Sequence, residues 1–226
     1  MIIFLCGALA LVLSTLVAAQ QSPLAANPVP VEEEPHHHLV LKNDSVMVLR
    51  VKLSPGESTL LHTHVHDRVA VDLSNATIAF QKLGEKQSAP EVTKPGDVAV
   101  STSNGPYTHI VHNAGDVGFE VMDVELLQRP AKASGPAAAK VEAENPSARV
   151  YKWTLAPGAV SAMHTHERPY LIIAATPLVL KMTDPEGKSF THEVKAGDVH
   201  WVDAKVTHSL ANEGTTAGAI VEIELK

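Results

Sequence analysis

Cysteine is almost absent from this sequence. The only one among 226 residues is Cys6, inside an apolar N-terminal stretch. A chain cut after that stretch would have no disulfide and no thiolate site. Basic residues are also few: 18 Lys and Arg against 25 Asp and Glu give a net charge of −7 and a pI of about 6.0. Nucleic-acid binding needs a basic patch, so nucleic acid is excluded as a partner. There is no Gly-x-Ser-x-Gly, no phosphate-cradling loop and no dinucleotide fingerprint. The carboxylates are scattered, with no pair that the sequence places across a cleft. The longest apolar run, Met1 to Leu16, falls short of the roughly 20 residues that span a bilayer. The first half has no amphipathic helical stretch.

That run has the character of a targeting segment. Val17-Ala18-Ala19 offers small residues before a cut ahead of Gln20, and the first charged residue is Glu32. Residues 1–19 are expected to be a signal peptide. Its amino end carries no Lys or Arg, which leaves an uncleaved anchor as the alternative. The expected location is periplasmic or secreted, with no stable membrane insertion after cleavage. A cysteine-free exported chain suits that setting without disulfide stapling.

Histidine is abundant instead. There are 13, more than Tyr (3), Phe (4) and Trp (2) together. His62-Thr63-His64 recurs as His164-Thr165-His166, 102 residues further on (164 − 62). The match extends outward: Asn43-Asp44-Ser45 answers to Asn145-Pro146-Ser147, and Leu53-Ser54-Pro55-Gly56 to Leu155-Ala156-Pro157-Gly158. A repeat of that length is one small domain. Hydrophobic residues make up 45% of the chain, and two small domains can bury each other's faces.

Residues 20–40 are a polar, Pro- and His-rich N-terminal segment, of which 20–35 reads as a tether. His36-His37-His38 at its end is a polar lead-in to the first strand or, alternatively, an accessory metal-binding tract. Short β-like runs separated by Gly, Pro, Asn and Asp turns fill 41–128 and 146–226. Residues 129–145 are an Ala-rich linker with room for one helical turn. Many short strands at even spacing predict a sandwich or barrel. Residues i and i+2 of a strand share a face, so each His-Thr-His aims two imidazoles one way. A third histidine follows in each copy, His109 and His208, after a Gly-Asp turn and four residues before an Asn. Three imidazoles per copy predict a transition-metal site with open positions.

These motifs resemble the cupin superfamily, in its two-domain (bicupin) form. Five residues separate Gly56 and Gly158 from the first histidine of each His-x-His, and Gly96…His109…Asn113 and Gly197…His208…Asn212 fit the ends of the family's second motif, the first with Gly105-Pro106 in altered order and two extra residues, the second without its Pro-x-Gly. The resemblance implies an all-β fold of two tandem double-stranded β-helix (jelly-roll, cupin) barrels, packed as a pseudo-dimer. It implies metal ligands His62, His64 and His109 in one barrel and His164, His166 and His208 in the other. The family's carboxylate ligand is missing from both motifs: Arg68 or Val69 stands at its place in the first, Tyr170 or Leu171 in the second. His66, Asp67 and Glu167 are the nearby substitutes, with His66 preferred as an extra ligand. Without the carboxylate the ligand type shifts towards Cu, Zn or Ni, with Fe retained. Tyr170 is a candidate proton donor or a core residue. Arg68 is a rim charge or a recruiter of anions. His112, His192 and His200 fit no motif and read as ordinary strand residues.

Three functions are expected, the first by analogy with the family, the second from the missing carboxylate and the histidine tract, the third from export and an all-histidine site. One is a metal-dependent, dioxygenase-type oxidoreductase acting on a small organic molecule. The second is a non-catalytic binder of metal or a small ligand. The third is copper-dependent oxidation of an extracellular polymer. A second copy of the chain is a candidate partner.

Overall fold

A computed structural model describes residues 27–129, 137–203 and 205–226. The expected signal peptide lies outside them. No helix among the described residues is long and apolar enough to cross a membrane.

The chain forms two all-β barrels. Barrel 1 contains β1 (Val29–Pro30), β2 (His37–Lys42), β3 (Val46–Leu53), β4 (His62–His64), β5 (Asp67–Asp72), β6 (Thr77–Lys82), β7 (Glu91–Val92), β8 (Val98–Ser101), β9 (Tyr107–Asn113) and β10 (Phe119–Leu126). Its two sheets run β1-β4-β9-β6-β7 and β2-β3-β10-β5-β8. Barrel 2 repeats the plan with β11 (Ala143–Glu144), β12 (Ala148–Leu155), β13 (His164–His166), β14 (Tyr170–Ala174), β15 (Leu178–Thr183), β16 (Ser189–Val194), β17 (Val199–Val202), β18 (Val206–Asn212) and β19 (Gly218–Leu225). Its sheets run β11-β12-β19-β14-β17 and β13-β18-β15-β16.

Strand alternation sorts the side chains between two environments. Val69 and Val71 of β5, Met122 and Val124 of β10, Leu171 and Ile173 of β14, and Val221 and Ile223 of β19 form one shared core between the barrels. The intervening residues face the barrel interiors: Val121 with Phe119 in barrel 1, Tyr170, Ile172 and Ile220 in barrel 2. Each aliphatic side chain buried this way contributes roughly 1.5–3 kcal/mol relative to exposure. Sheets buried on both faces therefore read as continuous apolar runs, and the two barrels pack as the expected pseudo-dimer. Gly197 sits at that junction with φ +84°, where a Cβ would lie 2.8 Å from the Arg50 guanidinium of barrel 1.

The repeated motif residues close each barrel. Gly56 N–H donates to the Asn113 carbonyl (3.0 Å) and Gly158 N–H to that of Asn212 (2.8 Å). Asn113 Nδ2 donates to the carbonyls of Leu53 and Val117, as Asn212 Nδ2 does to those of Leu155 and Thr216.

Two expectations need correction. The tether reading of 20–35 fails from Val29 onward. Val29-Pro30 pairs in parallel with His62-Thr63, Val31 packs on Met47 and Leu49, and β2 lies along β3. Composition counted the Pro and Glu residues as solvated, but one buried Val and a hydrogen-bonded Glu34 hold the segment on the barrel. Nor does the described part of the linker contain a helical turn: Ala143–Glu144 pairs with Arg149-Val150 as a strand.

Candidate metal centres

Each His-Thr-His strand is antiparallel to the strand bearing the third histidine, and the register puts His62 opposite His109 and His164 opposite His208. Sequence spacing thus becomes a cross-strand pair. All six predicted ligands are buried.

In barrel 2 the three rings converge on a carboxylate that sequence reasoning missed. His164 Nε2 lies 3.1 Å and His166 Nε2 3.3 Å from Glu222 Oε2, and His208 Nε2 lies 3.1 Å from Glu222 Oε1. One ligand atom from each of the four residues fits within 4.8 Å of all the others. Glu222 comes from the last strand, not from the place four residues after His166. Tyr170 occupies that place, and its ring stacks on His166 with centroids 3.8 Å apart. The motif position lacks its carboxylate, as expected, but in this barrel a carboxylate reaches the three rings from another strand on the same interior face. The signal was the pair Glu222-Ile223-Glu224 in an otherwise apolar strand, with Asp123-Val124-Glu125 at the corresponding place in barrel 1.

The surroundings of this cluster orient it. His164 Nδ1 is 2.9 Å from the Ala162 carbonyl and donates to it, which turns the Nε2 lone pair inward. His166 Nδ1 is held by Glu224 at 2.7 Å, an outer carboxylate of the kind that fixes metal-binding imidazoles. Trp153 Nε1 donates to Glu222 Oε2 at 2.6 Å. Burial works against a charge on His166, but Glu222 and Glu224 override it and raise its pKa to about 9. Burial likewise opposes ionisation of Glu222, yet hydrogen bonds from His164, His166 and His208 hold it well below the usual carboxylate range. Buried lone pairs and an anion at 3.0–3.3 Å separations ask for a cation, and three nitrogens with one oxygen fit a divalent transition metal.

Barrel 1 differs. Its three rings also cluster, with centroids 4.5–5.1 Å apart. Burial lowers the pKa of His62 to about 3, helped by His37 and His64, lowers that of His64 to about 3 although Asp123 opposes it, and depresses His109 further, helped by His62, Arg68 and His64. The position four residues after His64 carries Arg68, whose Nη1 is 3.0 Å from His64 Nε2 and 3.8 Å from Asp123. Asp123, the counterpart of Glu222, thus faces a guanidinium. Glu125 holds His64 Nδ1 at 2.7 Å and His66 Nδ1 at 3.1 Å. His66, expected as the extra ligand, therefore lies on a carboxylate outside the cluster. Its side chain is 35% exposed. The strand β4 ends at His64, so the i+4 alternation that recommended it does not continue. His112 bonds Ser58 Oγ at 2.8 Å, away from the cluster.

A cavity of about 620 Å³ opens beside the barrel 2 cluster, with Tyr170, Ile172, Leu180, Met182, Val206 and Ile220 among its walls. His192 and His200, read as ordinary strand residues, both border it. Tyr170 lies between cavity and ligands, since it also lines the former and stacks on the latter. Its hydroxyl is buried without a partner. Burial, then Glu222 and Glu224, push its pKa up, so the phenol keeps its proton.

No family model matches the chain. It is 31% identical over 86 residues to the β-alanine degradation protein BauB of Pseudomonas aeruginosa, covering 38% of this chain and 90% of that protein. Among solved structures, AerE from Microcystis aeruginosa superposes with TM-score 0.59 at 15% identity, over 88% of this chain and 98% of AerE. A cupin 2 conserved barrel domain protein from Leptotrichia buccalis gives 0.50 at 14%, over 83% and 87%. Salicylate 1,2-dioxygenase from Pseudaminobacter salicylatoxidans gives 0.53 at 13%, over 80% and 71%. At these identities the solved structures bear on the fold alone.

Proposed function

The chain belongs to the cupin superfamily, and on that premise we propose that barrel 2 is the working centre of a metal-dependent oxidoreductase of dioxygenase type. The observation that carries this reading is the convergence of His164, His166, His208 and Glu222 beside an open, mainly apolar cavity. His164, His166, His208 and Glu222 would hold a divalent metal, which would supply Lewis acidity and electron transfer. Manganese and iron suit the carboxylate-containing set better than the softer ions expected from sequence.

The chain's own residues do the rest. The three imidazoles and Glu222 set the charge of the site, and Glu224 and the Ala162 carbonyl hold two of the rings in place. The cavity walls bind a small, largely apolar molecule and exclude water. A volume of about 620 Å³ is in the range usual for such ligands. Tyr170 borders that space and its buried O–H has no protein acceptor, so we assign it the role of donor to an oxygen of the bound molecule. The depth of the ligands, each at most 5% exposed, fits a small molecule and not a polymer.

The test is metal analysis of tag-free protein, followed by O2 uptake with small aromatic and aliphatic acids. We expect close to one manganese or iron per chain in barrel 2 and substrate-dependent O2 uptake that His208→Ala abolishes. Less than about 0.2 metal per chain after reconstitution would remove the reading.

One observation favours a non-catalytic binder: Tyr170 covers His166 and encloses the metal position. Tight metal retention with O2 uptake at background across those acids would select it. We also place the protein outside the cytoplasm, in the periplasm or secreted, on the strength of residues 1–19. Sequencing the mature N-terminus tests that placement, and an unprocessed chain would count against it.

A further inference from the structure

We propose that barrel 1 holds a metal site of different make-up, in which His37 from the N-terminal segment joins His62, His64 and His109 in an all-imidazole set. Metal binding there latches the segment 27–40 onto the barrel.

The donor geometry leads to this reading. Ligand-capable ring atoms of His37, His62 and His64 all lie within 4.8 Å of one another. The His37 ring is 4.7 Å from that of His62, centroid to centroid. Each of the three Nδ1 atoms faces an acceptor outside the cluster: Glu34 Oε2 at 2.6 Å for His37, the Leu60 carbonyl at 2.9 Å for His62, and Glu125 Oε1 at 2.7 Å for His64. With those protons committed outward, the three Nε2 lone pairs point inward. His62 Nε2 is buried with no hydrogen-bond partner. His109 Nε2 comes within 3.0 Å of His64 Nε2. A cage of lone pairs takes a cation or a donor and not an anion.

Arg68 supplies a donor at present, through Nη1 and His64 Nε2. It also borders an open pocket of about 550 Å³ beside Lys82, Ser103 and Tyr107. The guanidinium therefore has space to withdraw when a metal takes the same lone pair. Nitrogen-only ligation suits Cu, Zn or Ni better than Mn, so the two barrels select different ions.

The latch follows from Glu34. This buried carboxylate holds His36 Nδ1 (3.0 Å), His37 Nδ1 (2.6 Å) and the Leu60 N–H (2.9 Å). Val29 pairs with His62 itself. The contacts that orient two ligands are thus the contacts that hold the segment down.

The experiment uses the full chain without an affinity tag, with barrel 2 silenced by His208→Ala and Glu222→Gln. Where that pair does not fold, His164→Gln with His208→Gln serves. Zn(II) alone and Cu(II) alone are the probes. We expect one equivalent to remain. His37→Ala should weaken it by about tenfold or more and remove one nitrogen from the Cu(II) EPR pattern. His38→Ala, at the adjacent exposed residue, should change neither, and Arg68→Gln should tighten binding. Zn(II) should slow proteolytic cleavage within 27–40 in the silenced protein and not in its His37→Ala form. Absence of a stoichiometric ion, unchanged affinity in His37→Ala, or cleavage indifferent to Zn(II) would each overturn the proposal. Because barrel 2 is silenced throughout, these outcomes are independent of whether barrel 2 catalyses oxidation.

Discussion

The two barrels repeat one plan and differ at an interior position beside the histidines. Four residues after the His-x-His, barrel 1 has Arg68 and barrel 2 has Tyr170. Alternation along β5 and β14 points both into the barrel, while Val69 and Leu171 go to the shared core. In barrel 1 the guanidinium reaches His64 and Asp123 and engages the last-strand carboxylate. In barrel 2 the phenol lies flat on His166, and Glu222 is left to close the ligand set. Asp123 is also one methylene shorter than Glu222. The lesson is that a lost ligand can be replaced from another strand, provided that the vacated position receives a residue that does not compete for it.

The sharpest way to break this comparison is to remove the two carboxylates in turn. Glu222→Gln should lower the metal affinity of barrel 2 by more than about 100-fold, because losing a ligand exceeds the 10–100-fold typical of outer-shell partners. Asp123→Asn should affect barrel 1 far less. Equal losses at both positions, measured by competitive chelation, would mean that the barrels use their carboxylates alike. Next in size is Glu224→Gln, which removes the acceptor of His166 Nδ1. It should reduce barrel 2 affinity about 10–100-fold.

The metal-free barrels should also respond oppositely to pH. His166 has a folded pKa of about 9, above its ordinary 6.5. Its stabilisation is complete below pH 6.5 and is lost as pH rises towards 9. His62 and His64 fall to about 3, and His109 falls too. The unfolded chain binds protons there that the folded barrel does not, so barrel 1 loses stability as pH falls below 6.5. Asp72, raised to about 7 by burial and then by Asp97 and Glu91, and Glu125, raised by burial, oppose this in part. Three imidazoles against two carboxyls leave barrel 1 acid-sensitive. Amide exchange resolved by residue should show β9 opening first at pH 5 and β18 first at pH 9. The same barrel opening first at both would contradict the electrostatic contrast.

Much of this was legible in sequence. The 102-residue repeat, the six histidines and most strand positions follow from alternation and turn residues. The carboxylates were not, because the motif directs attention to the residue four after His64 or His166, whereas Glu222 arrives from a strand 56 residues beyond His166 (222 − 166). Acidic residues at i and i+2 within an apolar strand were the available sign. His37 was hidden for a different reason. A Pro- and Glu-rich segment has the composition of a tether, and only tertiary contacts through Val31 and Glu34 make it part of the barrel.

The smallest effect tests Tyr170. Its hydroxyl is fully buried and unpartnered, so it carries a desolvation penalty that nothing in the protein repays. Tyr170→Phe should therefore raise the stability of the metal-free protein by on the order of 1 kcal/mol, a Tm increase of about 2–4 °C for a chain of this size. The same change should reduce substrate turnover in barrel 2 while leaving metal content intact, because the ring still stacks on His166. Arg68→Lys in barrel 1 provides the contrast, since it keeps a charge but shortens its reach to His64 and Asp123. If Tyr170→Phe destabilises the protein, the hydroxyl has a partner that stabilises the fold. Tyr170 would then be a core residue, and the proton-donor role would go with it.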